Sequence, residues 1–183
     1  SAPDSTKPKL KVSVANTVDN DDYNKIRPTS DMIPIYNDNS SGNREREQAL
    51  RLEYSDLARP YKEIKAEGNY PRGMDFRLYK KLSLYFYPLA QNQLSGKEHV
   101  FIRFGTDSAS FYEFKVRKKQ NGTWNTMSID LNELATFKEL ILSKRIDKRA
   151  PVDSVLEIRD SALIRVKGYP TYADIKWLSV GVA

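Results

Sequence analysis

Residues 48 to 182 contain eight short segments in which an apolar side chain alternates with a polar or amphipathic one. A period of two sends successive side chains to opposite faces of a pleated strand, so each segment offers one face to a core and the other to solvent or a neighbour. Repeated with turn signals between, the pattern predicts a mainly β chain: a jelly-roll-like antiparallel β-sandwich of about eight strands with one short helix. The inward sets are Leu50, Leu52 and Tyr54; Leu82, Leu84 and Phe86; Val100, Ile102 and Phe104; Tyr112, Phe114 and Val116; Met127, Ile129 and Leu131; Ile164 and Val166; Leu178, Val180 and Val182. A shorter, more polar edge strand is expected over 61–67.

The punctuation fits this reading. Tyr70 to Gly73 is a turn signal, Pro88 ends a strand because it cannot donate to the ladder, and Gly105 to Ser108 turns one strand into the next as a hairpin-like pair. Asn121-Gly122 suits a type I′ turn. Asp130, with Glu133 three positions on, caps a helix whose apolar stripe is Leu134, Phe137, Leu140 and Ile141. Residues 145 to 160 read as a charged loop, and Gly168-Tyr169-Pro170 joins the last two strands.

Residues 1 to 47 differ in kind. Pro3, Pro8, Pro28 and Pro34 interrupt them, Asp19 to Asp22 is an acidic run, and Asn37 to Asn43 is a polar loop with mobility expected over 37–46. The segment reads as an irregular arm or linker with one candidate strand at Lys9 to Val14, suited to pair with the edge of the 48–183 domain. Ser1 opens on no signal-peptide pattern, which reads as a mature segment or a piece of something longer.

The chain has 30 Lys and Arg against 24 Asp and Glu, a net charge of +6. That excess permits anionic partners without selecting one. The basic residues come as Lys80 and Lys81, Arg117 to Lys119, Lys144 and Arg145, and Lys148 and Arg149, at element ends and interleaved with carboxylates. They read as solvated loop tips, and no nucleic acid is expected. Cys is absent, so disulfides and thiolate metal sites are excluded.

Chemistry has little to work with. His99 is the one histidine, placed at a strand start after Gly96-Lys97-Glu98, with no nucleophile elbow and no second His for a metal. Asp19 to Asp22 lacks the spaced ligands and Gly of a calcium loop. The expectation is a protein that is not an enzyme, with no cofactor and no metal.

A set of phrases in order is more specific. Met74-Asp75-Phe76-Arg77-Leu78-Tyr79-Lys80-Lys81-Leu82, Phe101-Ile102-Arg103-Phe104-Gly105-Thr106-Asp107, Phe111-Tyr112-Glu113-Phe114, Val166-Lys167-Gly168-Tyr169-Pro170 and Ile175-Lys176-Trp177-Leu178-Ser179-Val180-Gly181-Val182 resemble the repeated soluble domain of the SprA/Sov family over about residues 48–182. Tyr169 stands where that pattern has Asn. The family comprises giant cell-surface proteins of the Bacteroidota, implicated in gliding motility and forming the outer-membrane translocon of type IX secretion. The resemblance implies a non-catalytic extramembrane domain, outer-membrane associated, on the periplasmic side or at the cell surface. Its partners would be the rest of the translocon barrel and accessory proteins of secretion. The alternative is a carbohydrate-binding β-sandwich module of an exported protein, with glycan as the ligand.

Six aromatics lie opposite the inward sets: Tyr85, Tyr87, Phe101, Phe111, Trp124 and Trp177. Each buries about 150–250 Å² when covered, and half of them together would match the ~300–600 Å² of the largest apolar patch on a typical monomer. They form a candidate contact face, apolar and resistant to moderate salt, unless the arm, the helix or the other sheet covers them. Asp107-Ser108-Ala109, Asp153-Ser154-Val155 and Asp160-Ser161-Ala162 fit the Asp-Ser-apolar pattern on which Bacteroidota glycosylate exported proteins, making Ser108, Ser154 and Ser161 candidate O-glycosylation sites in exposed turns.

Overall fold

A computed structural model describes residues 9–26, 48–55, 63–89, 98–117, 121–145, 152–158 and 162–183. The chain divides into two compact units, Ser1–Tyr61 and Lys62–Ala183. It is mainly β and wholly antiparallel in its sheets, with a six-stranded sheet, two small two-stranded ones and two helices among the described residues.

In the first unit, β1 (Lys9–Asn16) pairs antiparallel with β2 (Gln48–Ser55), setting Leu10 opposite Tyr54, Val12 opposite Leu52 and Val14 opposite Leu50. The alternation of both strands therefore stacks six apolar residues on one side of the ribbon, where Leu10, Val12, Val14 and Leu50 are exposed. Beyond β1, the Asn16 side-chain oxygen accepts from the Val18 and Asp19 amides, turning the chain into the short helix α1 (Asp21–Lys25). This helix falls on the acidic run and buries Tyr23. The candidate strand at Lys9 to Val14 does pair with the strand that begins at Gln48, but both strands fall in the first compact unit, whose end along the chain is at Tyr61 and not at residue 47.

The second unit contains β3 (Ile64–Met74), β4 (Lys81–Phe86), β5 (His99–Asp107), β6 (Ser110–Arg117), β7 (Asn125–Asp130), α2 (Leu131–Ser143), β8 (Asp153–Ile158), β9 (Ala162–Lys167) and β10 (Ile175–Val182). Its large sheet has the order β3-β10-β5-β6-β9-β8, and β4 pairs with β7 separately. Between these layers lies the core of Ile102, Phe104, Tyr112, Phe114, Met127, Ile129, Leu131, Leu134, Ile164, Val166 and Ile175, with Leu82, Leu84, Phe86, Val100, Val116, Leu178 and Val180 packed against it. Apart from Leu134 on α2 and Ile175 at the start of β10, these are residues the period-2 pattern assigns inward.

Two tyrosines lock the core to its surroundings. The Tyr112 hydroxyl donates to the Pro170 carbonyl at 3.1 Å, and the Tyr172 hydroxyl donates to the Leu131 carbonyl at 2.7 Å. Their rings lie 4.8 Å apart beside Phe104, and burial raises the pKa of both phenols. At the start of α2, the Asp130 carboxylate accepts from the Asn132 and Glu133 amides at 2.8 and 3.2 Å, as the cap signal requires. Leu134, Phe137 and Ile141 face the core, but Leu140 is exposed and Leu142 takes its place.

Three local readings are corrected. Tyr70 to Gly73 does not end a strand, since β3 runs on to Met74, but its pairing with β10 jumps from Asn69–Trp177 to Met74–Ile175, so the turn signal marks a bulge in an edge strand, where Pro71 is tolerated. A register shift between Ile175 and Trp177, with Gly73 at φ +70°, absorbs the irregularity. The charged segment 145–160 contains β8, an edge strand on β9, whose exposure explains its loop-like polarity. Gly122 does adopt positive φ, but the Asn121-Gly122 turn joins strands of different sheets and forms no hairpin.

Candidate contact faces

The side of the large sheet facing away from the core is built by register. Trp177, Gly105, Phe111 and Lys167 stand in one row across β10, β5, β6 and β9. The next row reads Glu67, Ser179, Arg103, Glu113 and Arg165, and a third reads Lys65, Gly181, Phe101 and Lys115. Glycine is required where a ring or strand crosses closely. A Cβ on Gly181 would lie 2.1 Å from the Ile64 carbonyl oxygen and 2.7 Å from the Phe101 ring, and one on Gly105 would meet the Ser110 carbonyl oxygen at 2.1 Å.

Phe101, Phe111 and Trp177 are 0, 4 and 6 % exposed. Among the described residues, cations of the same face lie over them. The Arg103 guanidinium is 4.3 Å from the Phe101 ring centre and 5.4 Å from that of Phe111. Arg165 and Lys167 stand 5.8 and 5.7 Å from Phe111, Lys115 6.0 Å from Phe101, and Lys65 6.0 Å from Trp177. The aromatics thus form a floor under a charged layer: of the two readings, open contact face or covered rings, these three are covered, by cations of their own sheet face. Cation–π attraction strengthens as water is excluded, which favours this stacking.

Arg103 is the centre of the layer. It donates through Nε to Glu113 and forks to both Glu63 carboxylate oxygens at 2.8 and 2.7 Å. The side chains of Arg103 and Glu113 are buried. Burial by itself would lower the Arg103 pKa, yet the hydrogen bonds and charges of Glu63 and Glu113 raise it above its ordinary value. The Arg103 fork in turn lowers the Glu63 pKa, against the opposing effect of burial. Further out, Arg165 forks to Asp153 at 2.7 Å through both contacts, lowering the Asp153 pKa and raising its own. Ser179 lies in the same row, fully buried, and its hydroxyl has no hydrogen-bond partner among the described residues.

The other three aromatics belong to the second layer. Tyr85 is opposite Thr126 on the outward side of the β4–β7 pair, half-buried. The Tyr87 hydroxyl donates to the Gly122 carbonyl at 2.8 Å, and its ring meets Trp124 edge-on at 5.4 Å. The six residues therefore do not make one face: Phe101, Phe111 and Trp177 lie together on the large sheet, and Tyr85, Tyr87 and Trp124 lie with the small one. Alternation distinguishes inward from outward but does not say which layer a strand joins.

Of the Asp-Ser pairs, Ser108 is exposed in the β5–β6 turn, where Asp107 accepts from the Ala109 and Ser110 amides at 2.7 and 2.9 Å. Ser154 is half-buried within β8 opposite Val166, so it is not in a turn. Ser161 lies outside the described residues, as do Lys118, Lys119, Lys148, Arg149 and the segment 37–46. His99 opens β5, exchanging backbone hydrogen bonds with Ala183 at 2.8 and 2.9 Å. Among the described residues no helix is long and apolar enough to cross a membrane, and no acidic, His or Cys cluster is placed to hold a metal. No protein-family model matches the chain, and neither does any curated protein or solved structure.

Proposed function

We propose that this chain is a non-catalytic, extramembrane part of a giant outer-membrane translocon of the type IX secretion and gliding kind. Its second unit acts as an assembly module, built as a jelly-roll-like sandwich and placed at the periplasmic or outer surface. The ordered phrases that resemble the SprA/Sov family support the translocon. Three of them fall on the adjacent strands β10, β5 and β6, which carry the charged layer.

The observation that carries the assembly role is the buried Arg103–Glu113 pair, forked to Glu63 above an aromatic floor on a sheet face that points away from the core. Burying charge is costly, and it adds specificity more readily than stability. A rigid lattice of fixed charges suits selection among partners, because wrong partners bring like charges together. The test is Lys115→Glu with Lys167→Glu in the native envelope. The doubly substituted protein should fold and reach the envelope while secretion and gliding fail. Normal secretion and gliding would remove the large-sheet face from the assembly.

A further inference from the structure

Leu78 is 93 % exposed, more than any other large apolar side chain among the described residues, and Tyr79 beside it is 64 % exposed. Both sit in the connection between β3 and β4, and that connection is tightly held. The Phe76 amide donates to the Tyr172 carbonyl at 2.7 Å, and the Tyr79 amide donates to the Phe76 carbonyl at 3.1 Å. Asp75 accepts from the Arg77 amide at 3.0 Å and from its guanidinium at 2.6–3.1 Å. The Phe76 ring packs on Phe104 at 5.8 Å. Leu78 is therefore presented on a fixed turn, with no route back to the core. Beside the turn, a cleft of about 290 Å³ lined by Met74, Phe76, Tyr79, Leu82 and Leu131, and also by the charged Asp75 and Lys81, adds apolar surface with a polar edge.

The charge around the turn has one sign left over. Arg72, Lys80 and Lys81 are exposed and form no ion pair among the described residues. Asp75 is neutralised by Arg77 and Asp174 by Lys176, while Asp130, opposite Lys81 in the β4–β7 register, and Glu133 in the first turn of α2 keep their charge, so three cations stand against two carboxylates and the balance at the turn is positive. We propose that this turn docks on an anionic lipid bilayer, with Leu78 and Tyr79 entering the interface and Arg72, Lys80 and Lys81 meeting headgroup phosphates. A bilayer closes around any protruding side chain, whereas a protein surface must supply a matched pit. Tyr favours the boundary between apolar and wet regions, and unpaired cations complement anionic lipid. A second copy of the chain would bring the same cations face to face. The proposal depends on the turn alone and not on the translocon reading.

The test is sedimentation of the full chain with vesicles of phosphatidylglycerol and phosphatidylcholine in equal parts, against phosphatidylcholine alone. Binding should require the anionic lipid. Lys80→Gln and Lys81→Gln should each lower partitioning about five-fold, and Leu78→Asp should lower it at least about ten-fold. Because Leu78 is so exposed, Leu78→Asp leaves the fold intact, which circular dichroism checks. The chain has no Cys, so Leu78→Cys carries a polarity-sensitive dye at one position, and its emission should shift to the blue on anionic vesicles. Absence of binding, binding unchanged in Leu78→Asp, or a dye that stays in water would overturn the proposal. Capture of Leu78 by an acidic protein without vesicle binding would overturn it in favour of a protein contact.

Discussion

The Arg103 guanidinium lies 4.3 Å above the Phe101 ring, two residues away on the same face of β5. One strand thus supplies both an aromatic floor and the cation that covers it, and the neighbouring strand repeats the spacing with Phe111 and Glu113. The central charge of the layer is held by contacts from below and from both sides.

Removing Arg103 should be severe for that reason. Arg103→Ala leaves Glu113 buried without its partner and uncovers Phe101, and breaking a buried pair this way costs about 3–5 kcal/mol. Arg103→Lys should recover only part, since an ammonium cannot fork to two carboxylates. Replacing both partners, Arg103→Met with Glu113→Leu, should restore most of the loss. Urea unfolding of the four proteins measures these differences, and a near-neutral Arg103→Ala would show that the pair is not held as described.

The Glu63 carboxylate gives the network an acid limit. Its pKa is lowered in the folded protein from an ordinary value of 4.5, so its contribution is fully present above pH 4.5 and is lost as pH falls through the lowered folded value. Asp153 and Asp75 act in the same direction, with Asp75 held down to about 2 by Arg77. The wild type should lose stability below pH 4.5, and Glu63→Gln should lose less over the same range while starting lower at pH 7. Urea midpoints at stepped pH read the difference, and parallel curves for the two proteins would count against the Glu63–Arg103 linkage.

Glycosylation should discriminate between turn and strand. Mass spectrometry of protein from its native envelope should find hexose on Ser108, at the exposed β5–β6 turn, and none on Ser154, whose backbone is paired within β8. An unmodified Ser108 would contradict this placement of the modification.

Much of the core was legible in the sequence because a buried strand face repeats every second residue. Ile102, Phe104, Tyr112, Phe114 and Ile129 are inward by pattern and buried in the structure. The helix was legible from the Asp130 cap. The unit boundary was not: Leu50, Leu52 and Tyr54 alternate as a domain strand would, yet they fall with their partners Leu10, Val12 and Val14 in the first unit. β8 escaped because an edge strand with exposed Val155 and Leu156 among acids has no buried face to mark it. The charged layer escaped for the opposite reason, since Arg and Glu in strands read as solvent-facing. The available signal was spacing: Arg103 and Glu113 each follow a same-face Phe by two residues.

That layer also revises the kind of contact to expect. With Phe101, Phe111 and Trp177 beneath cations, an interface on the large sheet should be charged and salt-sensitive, because screening shortens to about 8 Å near physiological ionic strength. Photo-crosslinking from positions 115 and 167 in the intact envelope, with position 85 on the other layer as comparison, tests the assembly role most directly. The account predicts adducts from 115 and 167 to the translocon barrel or its accessory proteins, weakening as salt is raised. Folded protein that gives no adduct from 115 or 167, or gives them only from 85, would contradict it.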